Sequence, residues 1–331
     1  MLCKVDELQL RFGEVVTGCW SKSSYRVIRE LGRGAIGVVY LVENLNNNQV
    51  CAMKIAPSMQ NIVAEYNRLR KIQKEVQSQH FGPLLYELDD IVEAQVKYYY
   101  YTMEYIEGSS LVDKHRNMTF DTKVQSLQEI LTYLHTLHQK QYIFADLKPE
   151  NILIENKTEK IRFIDFGGVV SVGKMVKQYS DLYDRGSWRM GSRKADLQYD
   201  IFAFGIIMMQ MFTKPDHLTN AIKNTLPIYA LYDIIHKELA PSLKVIGIKL
   251  FSEKYNSADD VRKDIQSYVI DKKVIQNPTS STLRQAKAVN ASQSIKVTTF
   301  SIKRGFQWNW IDGAFWASFV FMVGSLMLFF I

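Results

Sequence analysis

Three polar residues in the middle of the chain have the types and the spacing that phosphoryl transfer requires. Asn151 follows Asp146 by five residues, and Asp165 comes about twenty residues after Asp146. This chemistry needs one carboxylate at the incoming hydroxyl, and a second carboxylate with an amide to hold Mg²⁺ on the phosphates. We therefore predict that Asp146 acts at the hydroxyl and that Asn151 and Asp165 bind the metal ion.

The sequence around these residues resembles the signature of the protein kinases. Residues 143–154 read IFADLKPENILI, and Asp165 opens an Asp-Phe-Gly tripeptide. Lys148, two residues after Asp146, can reach the transferring phosphate, and a lysine there beside Pro149 is the serine/threonine pattern in that family. The resemblance implies transfer of the ATP γ-phosphate to protein serine or threonine, with Mg²⁺ as cofactor.

A glycine-rich run and a lysine precede this signature, in the order that a kinase needs. Residues 31–40 read LGRGAIGVVY, in which β-branched and aromatic residues after the glycines predict a hairpin rather than the strand-to-helix turn of a Rossmann phosphate loop. The run CAMK at residues 51–54 stands in place of V-A-I-K. Lys54 is therefore expected to pair with the α and β phosphates, and Ala52 to pack on adenine.

Lys54 needs an acidic partner on the following helix. Glu65 is the expected partner, because Leu69 lies four residues later on the same helical face. Glu75, which lies late in the helix and has no apolar residue four positions later, is the alternative.

The run YYYYTMEY at residues 98–105 predicts a strand that ends at the hinge between two lobes. The resemblance places Met103 behind adenine and the backbones of Glu104 and Ile106 at the adenine edge. The nucleotide-binding residues that follow from the resemblance are Gly32, Gly34, Gly37, Val39, Ala52, Lys54, Met103, Glu104, Ile106 and Leu153.

Two departures from the family pattern concern regulation and substrate binding. Phe144 and Ala145 stand where most kinases carry His-Arg, and an alanine cannot bind the phosphate of a phosphorylated activation loop. Activity is therefore expected without phosphorylation of that loop. The run GSRKADL at residues 191–197 replaces an A-P-E motif, and Asp196 is expected to pair with Arg262.

Two apolar helices are predicted around the catalytic loop. The stripe from Val124 to Leu137 has helical spacing and indicates core, and His135 and His138 beside it are expected to be solvated or capping residues rather than metal ligands. Asp200 heads the second helix. Residues 200–205, DIFAFG, resemble the D-x-W-x-x-G at the head of a kinase's central buried helix, and the resemblance implies that Asp200 braces the catalytic-loop backbone. A buried carboxylate is costly unless it is hydrogen-bonded, and N–H groups of that loop would satisfy it.

A closer resemblance is carried by residues 179–205 together with YIFADLKPEN. These runs are similar to the YabT-type membrane-anchored kinases of spore-forming Firmicutes, which share the compact activation segment and also lack the arginine. The resemblance implies a serine/threonine kinase that phosphorylates itself, with DNA as an activator and a link to sporulation.

Composition agrees with one catalytic body and an appendage. The chain is 47% apolar and 23% charged, and its three cysteines have no paired spacing, which favours a reducing compartment. We predict an α+β, two-lobed protein-kinase fold with a β-rich N-lobe and a helical C-lobe, followed by a linker and one C-terminal transmembrane helix. The predicted domains are 1–24 (N-terminal extension), 25–103 (N-lobe), 104–270 (C-lobe), 271–307 (linker) and 308–331 (anchor).

The last residues differ from the rest in both charge and hydropathy. Residues 313–331 contain no charge and are long enough, at about 1.5 Å per residue, to cross a hydrocarbon layer of roughly 30 Å. Lys303 and Arg304 before them favour a kinase domain on the cytoplasmic side of a bacterial cell membrane. A buried core helix is the alternative reading of this segment.

Residues 272–307 carry seven basic and no acidic residues, which accounts for the whole net charge of +7. Such composition predicts a disordered linker. Beside a bilayer it could bind anionic lipid or DNA through salt-dependent contacts, or serve only as a solvated tether.

Two functions from different classes compete for this sequence. One is an active, membrane-tethered kinase of protein substrates, and the other is a catalytically weak pseudokinase scaffold that holds partners or DNA at the membrane. The presence of every phosphoryl-transfer residue favours the first. Substrate identity and dimer formation stay open at this level.

Overall fold

The computed structural model describes residues 8–34, 36–76, 81–93, 95–177 and 180–276, with the side chains at 215 and 269–276 excepted. The two lobes belong to one compact unit that extends to Lys273. The predicted linker from residue 277 onward and the predicted anchor, 308–331, lie outside the described residues. Among the helices in the described ranges, none combines the length and the hydropathy that a membrane crossing requires.

The N-lobe is built on a six-stranded antiparallel sheet. Its strands are β1 (Val15–Thr17), β2 (Ser24–Arg33), β3 (Val38–Asn44), β4 (Gln49–Ala56), β5 (Leu85–Glu93) and β6 (Val96–Glu104). Their order in the sheet is β1-β2-β3-β4-β6-β5. Because β1 belongs to the sheet, the predicted N-terminal extension is in part a component of the N-lobe.

Side chains alternate between the two faces of this sheet, as the pleat of a strand requires. Along β3, Val38, Tyr40 and Val42 point into one apolar cluster on the outer face. Val39, between them, belongs instead to a second cluster that contains Ala52 and faces the cleft between the lobes. The outer face is therefore a core of its own, and the inner face is available to a ligand.

Helix α1 (Met59–Val76) follows β4 and packs on the sheet. Its buried residues are Ile62, Glu65, Leu69 and Ile72, which are three or four positions apart and so form a single stripe. A glutamate within an otherwise apolar stripe must have a partner, because an unpaired buried carboxylate is costly.

The C-lobe contains seven helices within the described residues, and five short strands. The helices are α2 (Leu111–Lys114), α3 (Phe120–Gln139), α4 (Leu197–Phe212), α5 (Pro215–Ala221), α6 (Pro227–Glu238), α7 (Pro241–Phe251) and α8 (Ala258–Gln276). The strands are β7 (Gly108–Ser110), β8 (Tyr142–Ile143), β9 (Ile152–Glu155), β10 (Ile161–Phe163) and β11 (Val170–Ser171). Helix α8 continues past residue 270, where the linker was predicted to begin.

Two helices form the centre of the C-lobe core. On α3, Leu127, Leu131 and Leu134 are fully buried, and on α4 all residues from 201 to 209 are buried. Burying each such leucine contributes about 1.5–3 kcal/mol relative to leaving it in water. The predicted core role of both helices is confirmed, and they give the catalytic loop a rigid base.

Candidate active site

One cavity between the lobes brings the predicted site residues together. Its volume is about 910 Å³. The predicted residues on its walls are Gly32, Gly34, Gly37, Val39, Ala52, Lys54, Met103, Glu104, Ile106, Asp146, Lys148, Asn151, Leu153 and Asp165. Glu65 does not line the cavity, because it lies behind Lys54.

Lys54, on β4, is held by two carboxylates. Its Nζ lies 2.6 Å from Glu65 Oε1 and 3.5 Å from Asp165 Oδ2. Glu65 also accepts a hydrogen bond of 2.9 Å from the hydroxyl of Tyr101 on β6. The lysine is thus fixed between helix α1 and the Asp-Phe-Gly segment, and its ammonium group faces the cavity.

Burial and charge act in opposite directions on this lysine. Burial by itself would lower the pKa of Lys54, but the carboxylates of Asp165 and Glu65 outweigh it and raise the pKa above its ordinary value. Burial raises the pKa of Glu65, against the opposing effect of Lys54. The alternative partner, Glu75, pairs with Lys71 at 3.7 Å on the exposed side of α1.

The predicted glycine-rich hairpin between β2 and β3 is confirmed. Its turn is closed by a hydrogen bond of 2.9 Å from the Gly34 N–H to the Gly37 carbonyl. A Cβ at Gly37 would lie 2.6 Å from the Ile55 carbonyl oxygen, so only glycine fits there. A Cβ at Gly32 would meet nothing within 4 Å, which leaves that part of the backbone open to a ligand.

The hinge strand β6 is tied to the C-lobe by an ion pair. The buried Met103 borders the cavity, and the next residue, Glu104, donates its N–H to Leu84 O at 2.7 Å. The Glu104 carboxylate accepts a hydrogen bond of 2.8 Å from the buried guanidinium of Arg162 on β10. Sequence reasoning missed Arg162; an arginine inside an apolar strand, three residues before Asp165, was the available signal.

The catalytic loop holds Asp146 between a cation and an amide. Lys148 Nζ lies 2.9 Å from Asp146 Oδ2. Asn151 donates through Nδ2 to the carboxylate of Asp146 at 3.0 Å and to its backbone carbonyl at 2.9 Å. Because the amide nitrogen is used in this way, the amide oxygen of Asn151 is the atom left to bind a metal ion.

The two aspartates of the site have pKa values shifted in opposite directions. Burial raises the pKa of Asp146, and Lys148 offsets only part of this effect. Burial acts in the same sense on Asp165, but Lys54 and the N–H of Gly167, 2.8 Å away, outweigh it and lower the pKa. Such a divergence separates a proton-accepting carboxylate from one that stays anionic.

The phenylalanine of the Asp-Phe-Gly segment is buried beneath helix α1. Phe166 packs beside Phe144, at 5.7 Å between ring centroids, and beside Phe81, at 6.2 Å. Arg68 on α1 donates to the carbonyl of Phe166 at 3.2 Å and to that of Gly167 at 2.7 Å. Phe144 therefore has an apolar packing role, and Arg68 is a positioning residue that sequence reasoning missed.

Asp200, at the start of α4, is fully buried and braces the catalytic loop. Its carboxylate accepts the N–H groups of Phe144 at 2.7 Å and Ala145 at 2.9 Å, as predicted, and lies 2.9 Å from Nε2 of His138. The expectation that His138 is a solvated or capping residue was wrong. It lies four residues after Leu134, one turn along the buried face of α3.

The donor chemistry of the cavity fits ATP and Mg²⁺. Magnesium prefers oxygen ligands, and Asp165 and Asn151 supply a carboxylate and an amide oxygen on the walls of the same cavity. The open backbone at Gly32 and the cation of Lys54 suit the negative charge of a phosphate chain.

Comparison with known proteins agrees with this geometry. Residues 25–286 match the family model described as protein kinase domain. The chain belongs to the protein kinase family. The serine/threonine-protein kinase YabT of Bacillus subtilis (strain 168) is 34% identical over 261 residues, which cover 77% of this kinase and 75% of that relative. The kinase is accordingly a serine/threonine protein kinase that uses ATP and Mg²⁺.

More distant proteins share the fold. The serine/threonine-protein kinase SBK1 of Mus musculus is 25% identical over 201 residues, which cover 57% of the kinase and 47% of that relative. The solved structure of vaccinia related kinase 3 superposes with a TM-score of 0.61 at 15% identity, covering 82% of the kinase and 94% of that chain. At this identity the likeness supports the two-lobed fold alone.

The activation segment of the kinase packs on the catalytic loop through apolar contacts. Ala145 is 3% exposed and forms a buried cluster with Ile143, Val176, Ala195 and Tyr199. Val176 and Ala195 lie on opposite arms of the segment. The position that carries an arginine in most kinases is therefore filled here by close packing.

A buried aspartate organises the centre of the segment. Asp184 accepts hydrogen bonds from the N–H of Gly186, from both donors of Ser187, from Arg193 and from the hydroxyl of Tyr199, at 2.6–3.2 Å. Burial would raise the pKa of Asp184, but these donors, Arg193 first, outweigh it and lower the pKa. Sequence reasoning missed Asp184, although the Asp-Arg-Gly-Ser run is typical of a side-chain-capped turn.

The predicted partner of Asp196 was wrong. Asp196 Oδ2 lies 2.6 Å from Nη2 of Arg185. Through Nε, Arg185 also donates to the carbonyl of Ser192 at 2.8 Å. Arg262 pairs with Asp259, one turn earlier on α8, at 2.6 Å. Arg262 is partly exposed and pairs with a carboxylate one turn away on its own helix. Arg185 is buried within the activation segment, and Asp196 lies at the end of that segment.

Proposed function

We propose that Asp146, Lys148, Asn151 and Asp165 carry out transfer of the ATP γ-phosphate to serine and threonine side chains of protein substrates. The observation that carries this proposal is that one cavity joins all four to Lys54. Lys54 is itself fixed by ion pairs on two sides, which is how a site pre-organises a cation for phosphate binding.

Each residue has a defined task in this reaction. Asp146 accepts the proton of the attacking hydroxyl, and Lys148 places a positive charge beside the transferring phosphate. Asn151 and Asp165 would hold Mg²⁺, which would supply positive charge to the phosphates, and Lys54 would orient the phosphates. Catalysis of this kind depends on positioning and electrostatics rather than on a covalent intermediate.

The direct test is incorporation of labelled γ-phosphate by the purified full chain into itself and into serine- and threonine-containing peptides. We expect Asp146→Asn and Lys54→Met to lower the rate by about 100-fold or more. Asp233→Asn is the matched control, because this aspartate is exposed on α6 and pairs only with Lys237 in the described structure. It should stay within about twofold of the unmodified protein. No incorporation above the Asp146→Asn background would favour the scaffold.

We also propose that the kinase is tethered to a bacterial membrane by residues 308–331 with its catalytic domain in the cytoplasm. The proposal is supported by the uncharged run 313–331 and the basic residues before it. The full chain should remain with membranes after a high-salt wash, and a chain ending at residue 276 should not. Release of the full chain by salt alone would contradict an inserted helix.

The basic linker is proposed to contact an anionic surface next to that membrane. Because α8 ends at Gln276, deletion of 277–302 tests the linker without cutting the helix. We expect this deletion to weaken binding to vesicles with anionic lipid, or to DNA, with a steep dependence on salt. Stimulation of turnover by DNA and by anionic vesicles, measured separately, distinguishes the two partners. Unchanged affinity for both would leave the linker as a tether.

A role in sporulation rests on the resemblance to the YabT-type kinases and on nothing within the site. Deleting the gene in its own host and counting heat-resistant spores tests it. Complementation with the Asp146→Asn form separates a catalytic role from a scaffolding one.

A further inference from the structure

The N-terminal strap, which we define as residues 8–14, covers the outer face of the N-lobe sheet. Leu8 is 2% exposed and Leu10 is 8% exposed, and both belong to the apolar cluster that contains Val38 and Tyr40 of β3. Burying two leucines against a sheet contributes about 1.5–3 kcal/mol each. The strap is therefore a bound part of the fold.

Backbone hydrogen bonds fix the register of the strap on the sheet. The Gly13 N–H donates to the carbonyl of Val27 at 2.8 Å, and the Val27 N–H donates to that of Glu14 at 2.8 Å. Closer to the phosphate-binding hairpin, the Leu10 N–H donates to the hydroxyl of Tyr40 at 3.2 Å.

Arg33 joins the strap to the glycine-rich hairpin. It lies between Gly32 and Gly34, at the end of β2, and its Nη2 donates to the carbonyl of Leu8 at 3.1 Å and to Glu30 at 2.7 Å. The strap thus reaches the hairpin that closes the nucleotide cavity.

The two faces of β3 couple the strap to the cavity. Val38 and Tyr40 contact the outer cluster, whereas Val39 between them lines the cavity. A shift of the hairpin relative to the strap would therefore disturb the packing of Val38 and Tyr40 against Leu8 and Leu10 and move the cavity wall at Val39.

We propose that Arg33 is a positioning residue for ATP, which acts by tying the glycine-rich hairpin to the Leu8 carbonyl of the N-terminal strap. The strap holds the hairpin in place before the nucleotide binds. The entropic cost of ordering the hairpin on ATP binding is therefore smaller. The proposal rests on ATP use by the kinase, but the state of the hairpin can be measured without nucleotide.

Arg33→Gln in the full chain should raise the KM for ATP and the dissociation constant of ATP about threefold to tenfold, because the charge-assisted hydrogen bonds of Arg33 to the Leu8 carbonyl and to Glu30 are lost. It should change kcat by less than about twofold. Hydrogen exchange of the peptide covering Gly32 to Tyr40 should accelerate at least about threefold in the absence of ATP. Tyr40→Phe, which removes the hydroxyl that accepts the Leu10 N–H and that also interacts with Arg33, should raise the KM, the dissociation constant and the exchange rate as well.

Arg26→Gln is the matched control, because Arg26 is an arginine of the same strand, β2, whose side chain pairs with Glu43 on β3 at 3.0 Å. It should leave the KM for ATP and the exchange of the hairpin unchanged.

A chain without residues 2–10 decides how Arg33 acts. If Arg33 works through the Leu8 carbonyl, Arg33→Gln should raise the KM for ATP by less than about twofold in this shortened background. An equal rise in both backgrounds would mean that Arg33 meets the phosphates directly, and would overturn the proposal. Unchanged hydrogen exchange in both Arg33→Gln and Tyr40→Phe would overturn it as well, whether or not phosphotransfer is detected.

Discussion

Arg185 donates a hydrogen bond of 2.6 Å to the carboxylate of Asp196, and this ion pair closes the activation segment onto the helix that follows it. Asp196 is the N-cap of α4, where it accepts the Tyr199 N–H at 3.1 Å. Four residues later, Asp200 holds the catalytic loop. The segment and the loop are therefore fastened to the first turn of one buried helix.

Arg185→Ala should lower the free energy of unfolding by about 2–3 kcal/mol, less than for a fully buried pair because the Asp196 side chain is 43% exposed. It should also lower kcat, because the end of the segment loses its anchor. Denaturant unfolding and steady-state kinetics measure the two effects. Arg262→Ala is the control and should cost less than about 1 kcal/mol, since Arg262 forms an ion pair with Asp259 on its own helix, α8. Equal losses in the two variants would contradict the assignment of Arg185.

Ser171, Ser180 and Ser192 can be replaced together by alanine with activity within about threefold of the unmodified kinase. The expectation follows from Ala145, which offers no cation to a phosphorylated segment, and from a segment that is already fastened by Asp184. Ser187 is left in place because it bonds to the Asp184 carboxylate, and its loss should cost about 1 kcal/mol of stability. The measurement is phosphotransfer by phosphatase-treated protein; activity at background would show that a phosphorylated serine is required.

Restoring the family's arginine at Ala145 should impair the kinase at least about tenfold. The side chain of Ala145 is packed among Val176, Ala195 and Tyr199, so a larger one would displace the segment. Ala145→Gly is the control and should stay close to the unmodified activity, because φ at this residue is +64°, a conformation that suits glycine. Full activity of Ala145→Arg would show that the cluster around Ala145 can accommodate a large side chain, and would contradict this prediction.

Glu65→Gln should lower kcat/KM at least about tenfold, because a neutral amide attracts Lys54 less and leaves it closer to Asp165. Glu75→Gln is a matched change on the same helix and should be near neutral, as Glu75 contacts only the exposed Lys71 in the described structure. Phosphotransfer at varied ATP concentrations separates the two. Similar losses at both positions would argue against a special role for Glu65.

The pH dependence of kcat should report the protonation of Asp146. A protonated Asp146 cannot accept the hydroxyl proton, so kcat should fall as the pH drops through the raised pKa of this group. Lys148 lowers that pKa, so Lys148→Met should move the acid limb of the profile to higher pH as well as lowering kcat. Lys97→Met is the control, because Lys97 pairs with Asp90 instead, and it should leave the acid limb of the profile in place. An acid limb that does not move in Lys148→Met would contradict the role assigned to Asp146.

The sequence was most informative where function or burial constrains residues within short runs. Asp146, Lys148 and Asn151 lie within one short loop, so their spacing along the sequence already places their side chains close together. The bracing role of Asp200 could be predicted because residues 200–205 resemble the family's D-x-W-x-x-G, and a buried carboxylate needs hydrogen-bond donors.

Pairings between distant charged residues could not be predicted in this way. The sequence does not distinguish Arg185 from Arg262 as a partner of Asp196. Which arginine pairs with Asp196 depends on which one the fold buries beside it. His138 was expected to be solvated or capping because histidine is polar. Its spacing of four residues from Leu134 nevertheless placed it on the buried face of α3. Helix α8 runs to Gln276, past the boundary that the change to a basic composition suggested at residue 270.

Met103 offers a route from this structure to the cellular targets of the kinase. Its side chain borders the cavity at the hinge and is 6% exposed, so it limits how large a purine can enter. Met103→Gly would open space there for an ATP analogue enlarged on its exocyclic amine, which other kinases in the cell would reject. With a transferable tag on the γ-phosphate of that analogue, the proteins labelled in a lysate would be those of this enzyme.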